Sequence, residues 1–220
     1  SISSEPSLNV LRRSIYLWCV VTLFHGVVYG VVARMEADRY HEEAVTKLGK
    51  SFREQMNIWA MAYAVHDFTV WRVLRRELGR QKGREVFIKI WAEVAKTSAD
   101  SAIKALGITK VDIPALGAVA KHGYSVIACP YTVVKDTADE HVGHVTECPF
   151  HRYNSEIFGD YTRSDEMRDY WKDTADCTAN YFKTMTEHLG MGKEVEGTSD
   201  KFICTGDNVC TVIFRKKKKT

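Results

Sequence analysis

Val145-Thr146-Glu147-Cys148-Pro149-Phe150-His151 ends a short apolar run in an acid, a thiol and an imidazole, and breaks it with a proline. Proline has no N–H to give to a strand ladder yet fits the first turn of a helix, so Cys148 is expected where a strand hands over to a helix. Upstream of it the chain reads as helices that support a sheet. Downstream it reads as one long helix and a closing hairpin.

Working outward, residues 124–134 are rich in β-branched and aromatic side chains and read as a strand, with Pro130 marking an edge position or a bulge. Residues 142–148 read as its antiparallel neighbour across the polar turn 135–140, which puts Cys129-Pro130 and Cys148-Pro149 on the two arms. Residues 109–116, with Asp112 and Pro114, read as a connecting loop. Residues 58–78 and 84–106 repeat apolar side chains every three to four positions and stop at Gly79 and Gly107, the pattern of two helices. Residues 36–52 read as a charged surface helix. His66, in the apolar part of the 58–78 helix, is expected as a core residue rather than a ligand.

Residues 165–189 form the clearest helix. Ser164 can cap it, Asp165 and Glu166 fall in its positive first turn, and Gly190 can end it. Tyr170, Asp173, Cys177, Asn180, Tyr181 and Thr184 follow three- and four-residue steps and share one face, so Cys177 approaches Cys148 if that face meets the sheet. Residues 201–204 and 209–215 flank Thr205-Gly206-Asp207-Asn208, whose turn formers suggest a closing hairpin. The expected fold class is α+β: a helical N-terminal half that includes an apolar, transmembrane helix, then an antiparallel β-sheet packed on a long helix.

That apolar helix is residues 14–33, which hold no Asp, Glu, Lys or Arg, behind Arg12-Arg13 and ahead of Arg34. Roughly 20 such residues match the thickness of a hydrocarbon core, and Gly26 and Gly30 stand at a spacing that lets another helix backbone approach in lipid. His25 in mid-segment favours the alternative, a helix buried in a protein core or subunit interface. The run is too long for a removable signal peptide. The domain organisation expected is an N-terminal extension, 1–35, and an α+β hydrolase-like domain, 36–220.

Composition narrows the class further. In 220 residues, 31 basic against 28 acidic side chains leave a formal charge of +3, and four lysines sit together at 216–219, so nucleic acid is not an expected partner. The six cysteines show no CxxC pair and are too sparse for a small secreted scaffold, which favours a reduced compartment. A disulfide between Cys204 and Cys210 needs an oxidising one.

The second half resembles a known family. Glu77-Leu78-Gly79 followed by Gly83-Arg84-Glu85, then Glu147-Cys148-Pro149, then Asp176-Cys177-Thr178-Ala179-Asn180 on a helix, and finally Gly206-Asp207 with Cys210 and Phe214 are similar to the L-2-amino-thiazoline-4-carboxylic acid hydrolases over about residues 70–215. The resemblance implies a small α+β hydrolase that opens a thiazoline ring, with Cys148 and Cys177 in its pocket and Cys210 in the closing strand. It also implies an acid one turn after the helix cysteine. This chain has Asn180 there, and an amide is no general base.

Read without the family, Cys148 is the candidate nucleophile, and His151 its candidate base, with His144 and His141 on the preceding strand. Cys148, His151 and Cys177 are also a conceivable zinc set, but the spacing is no signature. His141 and His144 fall on opposite strand faces, which suits a shared metal poorly. Cys129, Cys204 and Cys210 read as small buried hydrophobes. No metal or other cofactor is expected.

Two functions follow. The first is a non-catalytic accessory or scaffold subunit of a larger membrane complex of the mitochondrial respiratory type. It would contact the other subunits through the Gly26/Gly30 helix face, with membrane lipid around it. The start at Ser1 is trimmed, by a processing protease or in preparation; a processed start on a membrane subunit would fit an organelle such as the mitochondrion, with its inner membrane as the location. The second is an active hydrolase of a small cyclic amidine, with Cys148, His151, Cys177 and Asn180 at its site.

Overall fold

Gly79 is the only residue between two 27-residue helices, α1 (Phe52–Leu78) and α2 (Arg80–Leu106), and its φ of 78° is a turn that a residue without Cβ makes at little cost. The second helix returns so close to the first that a Cβ on Gly83 would lie 2.8 Å from the Leu74 and Arg75 backbone. These elements belong to a computed structural model that describes residues 52–218, in which residues 56–218 fall in one compact unit.

The order continues with α3 (Ile113–Val126), β1 (Tyr131–Asp136), β2 (Glu140–Val145), α4 (Pro149–Phe158), α5 (Asp165–His188), β3 (Val195–Thr198), a 3-10 turn (Ile203–Thr205) and β4 (Cys210–Lys216). The four strands form an antiparallel sheet in the order β1-β2-β4-β3. Along β2 exposure alternates, and His141, Gly143 and Val145 face the interior. β1 is an exposed edge that slips register between Val133 and Lys135. α3 packs on β1, β2 and β4, while α5 joins α2 to β3.

Two apolar clusters hold these layers. Ala95, Ala99 and Ala102 of α2 meet Leu116 and Val119 of α3, Phe182 and Met185 of α5, and Val212 and Phe214 of β4. Phe68, Trp71 and Leu74 of α1 meet Phe87 of α2 and Met167, Tyr170 and Trp171 of α5. Full burial of one such side chain contributes about 2 kcal/mol, so α2 and α5, which enter both clusters, join them into one body. Ser164 caps α5 by accepting the Met167 N–H at 3.1 Å.

Several expectations are corrected. Among the described residues no helix is long and apolar enough to cross a membrane, so neither a transmembrane helix in the fold nor a membrane or mitochondrial inner-membrane location is supported. Residues 14–33, with Gly26 and Gly30, lie outside the described residues. The loop expected at 109–116 instead starts α3: Asp112 is its N-cap, accepting the Ala115 N–H at 2.9 Å, and Pro114 sits in the first turn. Residues 124–126 finish that helix, so the strand expected from 124 begins only at Tyr131. The closing hairpin is not formed from 201–204. β4 pairs with β3 and β2 instead, and its approach is a 3-10 turn. His66 is exposed, and the buried polar residue of α1 is its neighbour Asp67, 6% exposed.

Candidate functional site

Cys148 sits between β2 and α4 as the N-cap of that helix, in extended backbone, with its carbonyl accepting the Arg152 N–H at 3.0 Å. Pro149 takes the first helical position, where an N–H would have no partner in any case. The first-turn backbone that follows, at Phe150 and His151, lies at the positive end of the helix and favours the charged form of the Cys148 thiol.

Strand pairing delivers a second thiol to the same place. Tyr131 opposes Val145 at the end of the β1–β2 ladder, so Cys129, two residues before Tyr131, and Cys148, three after Val145, leave the sheet at one end. Cys210 enters at that end too, since it pairs with Val145 on the other side. The Cys129 S–H donates to the Cys148 sulfur. That bond, with the helix N-terminus behind it, outweighs burial and holds the half-buried Cys148 thiol below the ordinary thiol range.

The neighbouring thiols go the other way. Cys129 donates its S–H hydrogen bond to Cys148 and is itself buried, so it keeps its proton and is held far above the usual range. Burial pushes Cys210 up to about 12 and Cys204 well above a free thiol. Each has a backbone partner: Cys210 Sγ accepts the Ile203 N–H at 3.2 Å, and Cys204 donates to the Trp171 carbonyl at 3.8 Å. All of the described cysteines are free thiols, so Cys204 and Cys210 are not joined. Tyr124 borders the cluster, feeling Cys210, Cys129 and Cys148.

The other expected site residues have different surroundings. The His151 ring packs on Trp171 with centroids 5.1 Å apart, and burial lowers its proton affinity; it is the backbone of His151, not the ring, that favours the charged thiol. Cys177 is buried in the helix cluster, where burial and then the charges of Asp67, Asp173 and Asp176 raise its thiol. Asn180 donates weakly to Thr184 at 3.4 Å and lines a surface groove of about 430 Å³ between α5 and β3. Among the described residues no group of three or more His, Cys, Asp or Glu is placed to hold a metal ion, the set Cys148, His151 and Cys177 included.

Two buried polar arrangements lay outside the sequence reading. Asp67 accepts the Tyr170 hydroxyl at 2.8 Å and the Trp91 N–H at 3.0 Å, while Asn154 of α4 donates to the same hydroxyl at 2.9 Å. Burial raises the Asp67 carboxyl to about 6 despite the two donors. His141, 2% exposed, lies between Asp136 at 3.0 Å and the Tyr131 hydroxyl at 2.8 Å. Cys129 had read as a small buried hydrophobe, and the repeated Cys-Pro on the two hairpin arms was the signal that could have found it; nothing in the apolar periodicity of α1 marked Asp67.

No family model and no curated protein matches the chain. Its fold is similar to that of a trafficking protein particle complex subunit 3 from Naegleria fowleri covalently bound to palmitic acid, with a TM-score of 0.50 and 15% identity over 76% of this chain and 97% of that one. A second solved structure, the phenol-responsive sensory domain of the transcription activator PoxR with phenol, matches with a TM-score of 0.47 and 14% identity over 71% of this chain and 74% of that one.

Proposed function

We propose that the chain is a non-catalytic accessory domain of a larger protein assembly, and that Cys148 is its covalent attachment point for an acyl group. One observation carries this: among the described cysteines, Cys148 alone has its proton affinity lowered, by Cys129 and by the α4 N-terminus. A thiolate is the form that attacks an acyl carbonyl. The step is a thioester exchange. The Cys148 sulfur bonds to the acyl carbon of an acyl thioester, the donor's C–S bond breaks, and the donor leaves as a thiolate that takes up a proton. The fold likeness to a subunit bound covalently to palmitic acid agrees with this reading. So does the ring of His151, the expected base, which packs on Trp171.

Incubation with palmitoyl-coenzyme A is expected to add one palmitoyl group, removable by neutral hydroxylamine and lost in Cys148→Ser. An unmodified wild-type chain, or an adduct that persists in Cys148→Ser, overturns the reading.

The first-turn backbone at Phe150 and His151, beside Cys148 at the α4 N-terminus, favours a second reading in which the same thiolate opens a small cyclic amidine and these N–H groups steady the oxyanion. Steady turnover of L-2-amino-thiazoline-4-carboxylate, abolished by Cys148→Ala, would support it over the accessory role. A single stoichiometric adduct without turnover removes it.

A further inference from the structure

We propose that Cys129 and Cys148 form an oxidisable pair, in which Cys148 attacks a hydroperoxide and Cys129 closes the product to a disulfide that withdraws the thiol. The inference rests on the reading of Cys148 as the activated thiol, and adds how that thiol is regulated.

Geometry divides the roles. Cys148 is half-buried, while Cys129 is 4% exposed and meets solvent hardly at all. Cys129 is also held in place: its N–H donates to the Tyr124 carbonyl at 2.9 Å, and Ala128 before it adopts a φ of 56°, a conformation that a residue with a Cβ takes up only where its surroundings impose it. Strand register sets the two sulfurs at one end of the β1–β2 ladder, where Cys129 donates its S–H to Cys148. Cys204 and Cys210 lie nearby, but their thiols are taken by the Trp171 carbonyl and the Ile203 N–H. Of the four thiols at this end, Cys129 is the one whose partner is the Cys148 sulfur itself.

The chemistry balances in two steps. The Cys148 thiolate attacks one peroxide oxygen, the O–O bond breaks, and the alkoxide takes up a proton and leaves as an alcohol, giving Cys148 sulfenic acid. Cys129 sulfur then attacks the Cys148 sulfur, an S–S bond forms, and the hydroxyl leaves with the Cys129 proton as water. The two sulfurs lose two electrons and the peroxide gains them.

The test treats the full chain with hydrogen peroxide or cumene hydroperoxide and reads intact mass and non-reduced peptide maps. The expected result is a loss of two hydrogens, with the Cys129 and Cys148 peptides linked and both changes reversed by dithiothreitol. In Cys129→Ser, checked by circular dichroism for retained fold, the linked peptide is lost and Cys148 becomes trappable by dimedone. The double variant Cys204→Ser, Cys210→Ser keeps the link. No linked peptide in wild type, or Cys148 linked to Cys204 or Cys210 instead, overturns the proposal. A chain that takes palmitoyl but forms no disulfide removes the pair and leaves the attachment reading. One that forms the disulfide but takes no palmitoyl removes the attachment reading and keeps the pair. A Cys148 inert to both reagents removes both.

Discussion

At the end of the sheet, Cys148 gives up its proton more readily than a free thiol, while at the junction of α1, α2, α4 and α5, Asp67 keeps its proton up to about pH 6. Both receive hydrogen bonds, and burial opposes the charge of both. The difference lies in what supplies the donors and in how far water is excluded. Cys148 has a thiol donor and stands at a helix N-terminus, where the backbone adds positive potential, and it is only half-buried. Asp67 has one hydroxyl and one indole N–H on neutral side chains, in the middle of packed helices. Donors without a nearby positive charge do not hold a carboxylate in an apolar junction.

The neighbouring Asp173 offers the strongest way to break that comparison, because it sits beside the same helices with cations added. It is 5% exposed and accepts the Trp71 N–H at 2.9 Å, Arg84 Nε at 2.9 Å and Arg75 Nη1 at 3.5 Å. Asp173→Ala strips three donors of their acceptor and is expected to cost about 3–5 kcal/mol, the range for breaking a buried ion pair. Urea unfolding at pH 7 checks this through a lower midpoint with an unchanged slope. A loss under about 1 kcal/mol would show that Asp169 and Asp176, which also hold these arginines, suffice.

Asp67 gives the next effect. Its folded pKa of about 6 lies above the carboxylate value of 3.8, so the native state binds the proton more tightly than the unfolded chain. Its contribution to stability is then fully present below about pH 4 and is lost as pH rises through 6. A shift of this size amounts to about 2–3 kcal/mol over that window. Asp67→Asn is expected to flatten this part of the stability profile, measured by chemical unfolding at half-unit pH steps. An unchanged slope between pH 4 and 6 would assign the dependence to other groups.

How much of this the sequence disclosed follows from the range of the interactions. Caps and helix stops act within four residues, so Ser164 and Gly107 were legible. Asp112 and Pro114 carry the same local signal, yet they read as a loop because Pro and Asp mark turns as well as helix starts. The strand expected from residue 124 failed because Tyr124 and Val126 carry β-type side chains while their packing in α3 decides the conformation. Cys148 at the strand-to-helix junction was local and readable. Its partner Cys129 required the register of two strands, and Asp67 required four helices to meet. Cys177 shared the expected helix face with Asn180, but a face does not say which neighbour it meets, and the two ended in different surroundings.

The smallest effect sharpens the comparison at a third polar arrangement, Asp136–His141–Tyr131, where the imidazole bridges a half-exposed carboxylate and a phenol. Nδ1–H donating to Asp136 leaves Nε2 to accept the Tyr131 hydroxyl, so the ring is held at both nitrogens. Gly117 of α3 packs against its flat side, and a Cβ there would collide with the His141 ring. In an open helix, Gly→Ala gains up to about 1 kcal/mol from propensity. At Gly117 the ring cannot retreat without breaking a hydrogen bond, and overpacking costs about 1–3 kcal/mol. Gly117→Ala is therefore expected to destabilise by about 1–2 kcal/mol. Gly123→Ala on the same helix, where a Cβ meets nothing within 4 Å, is expected to stabilise by about 0.5–1 kcal/mol. Opposite signs from two identical changes in one 14-residue helix isolate the His141 contact from helix propensity. If both variants gain stability, the ring moves freely and the two hydrogen bonds do not fix it.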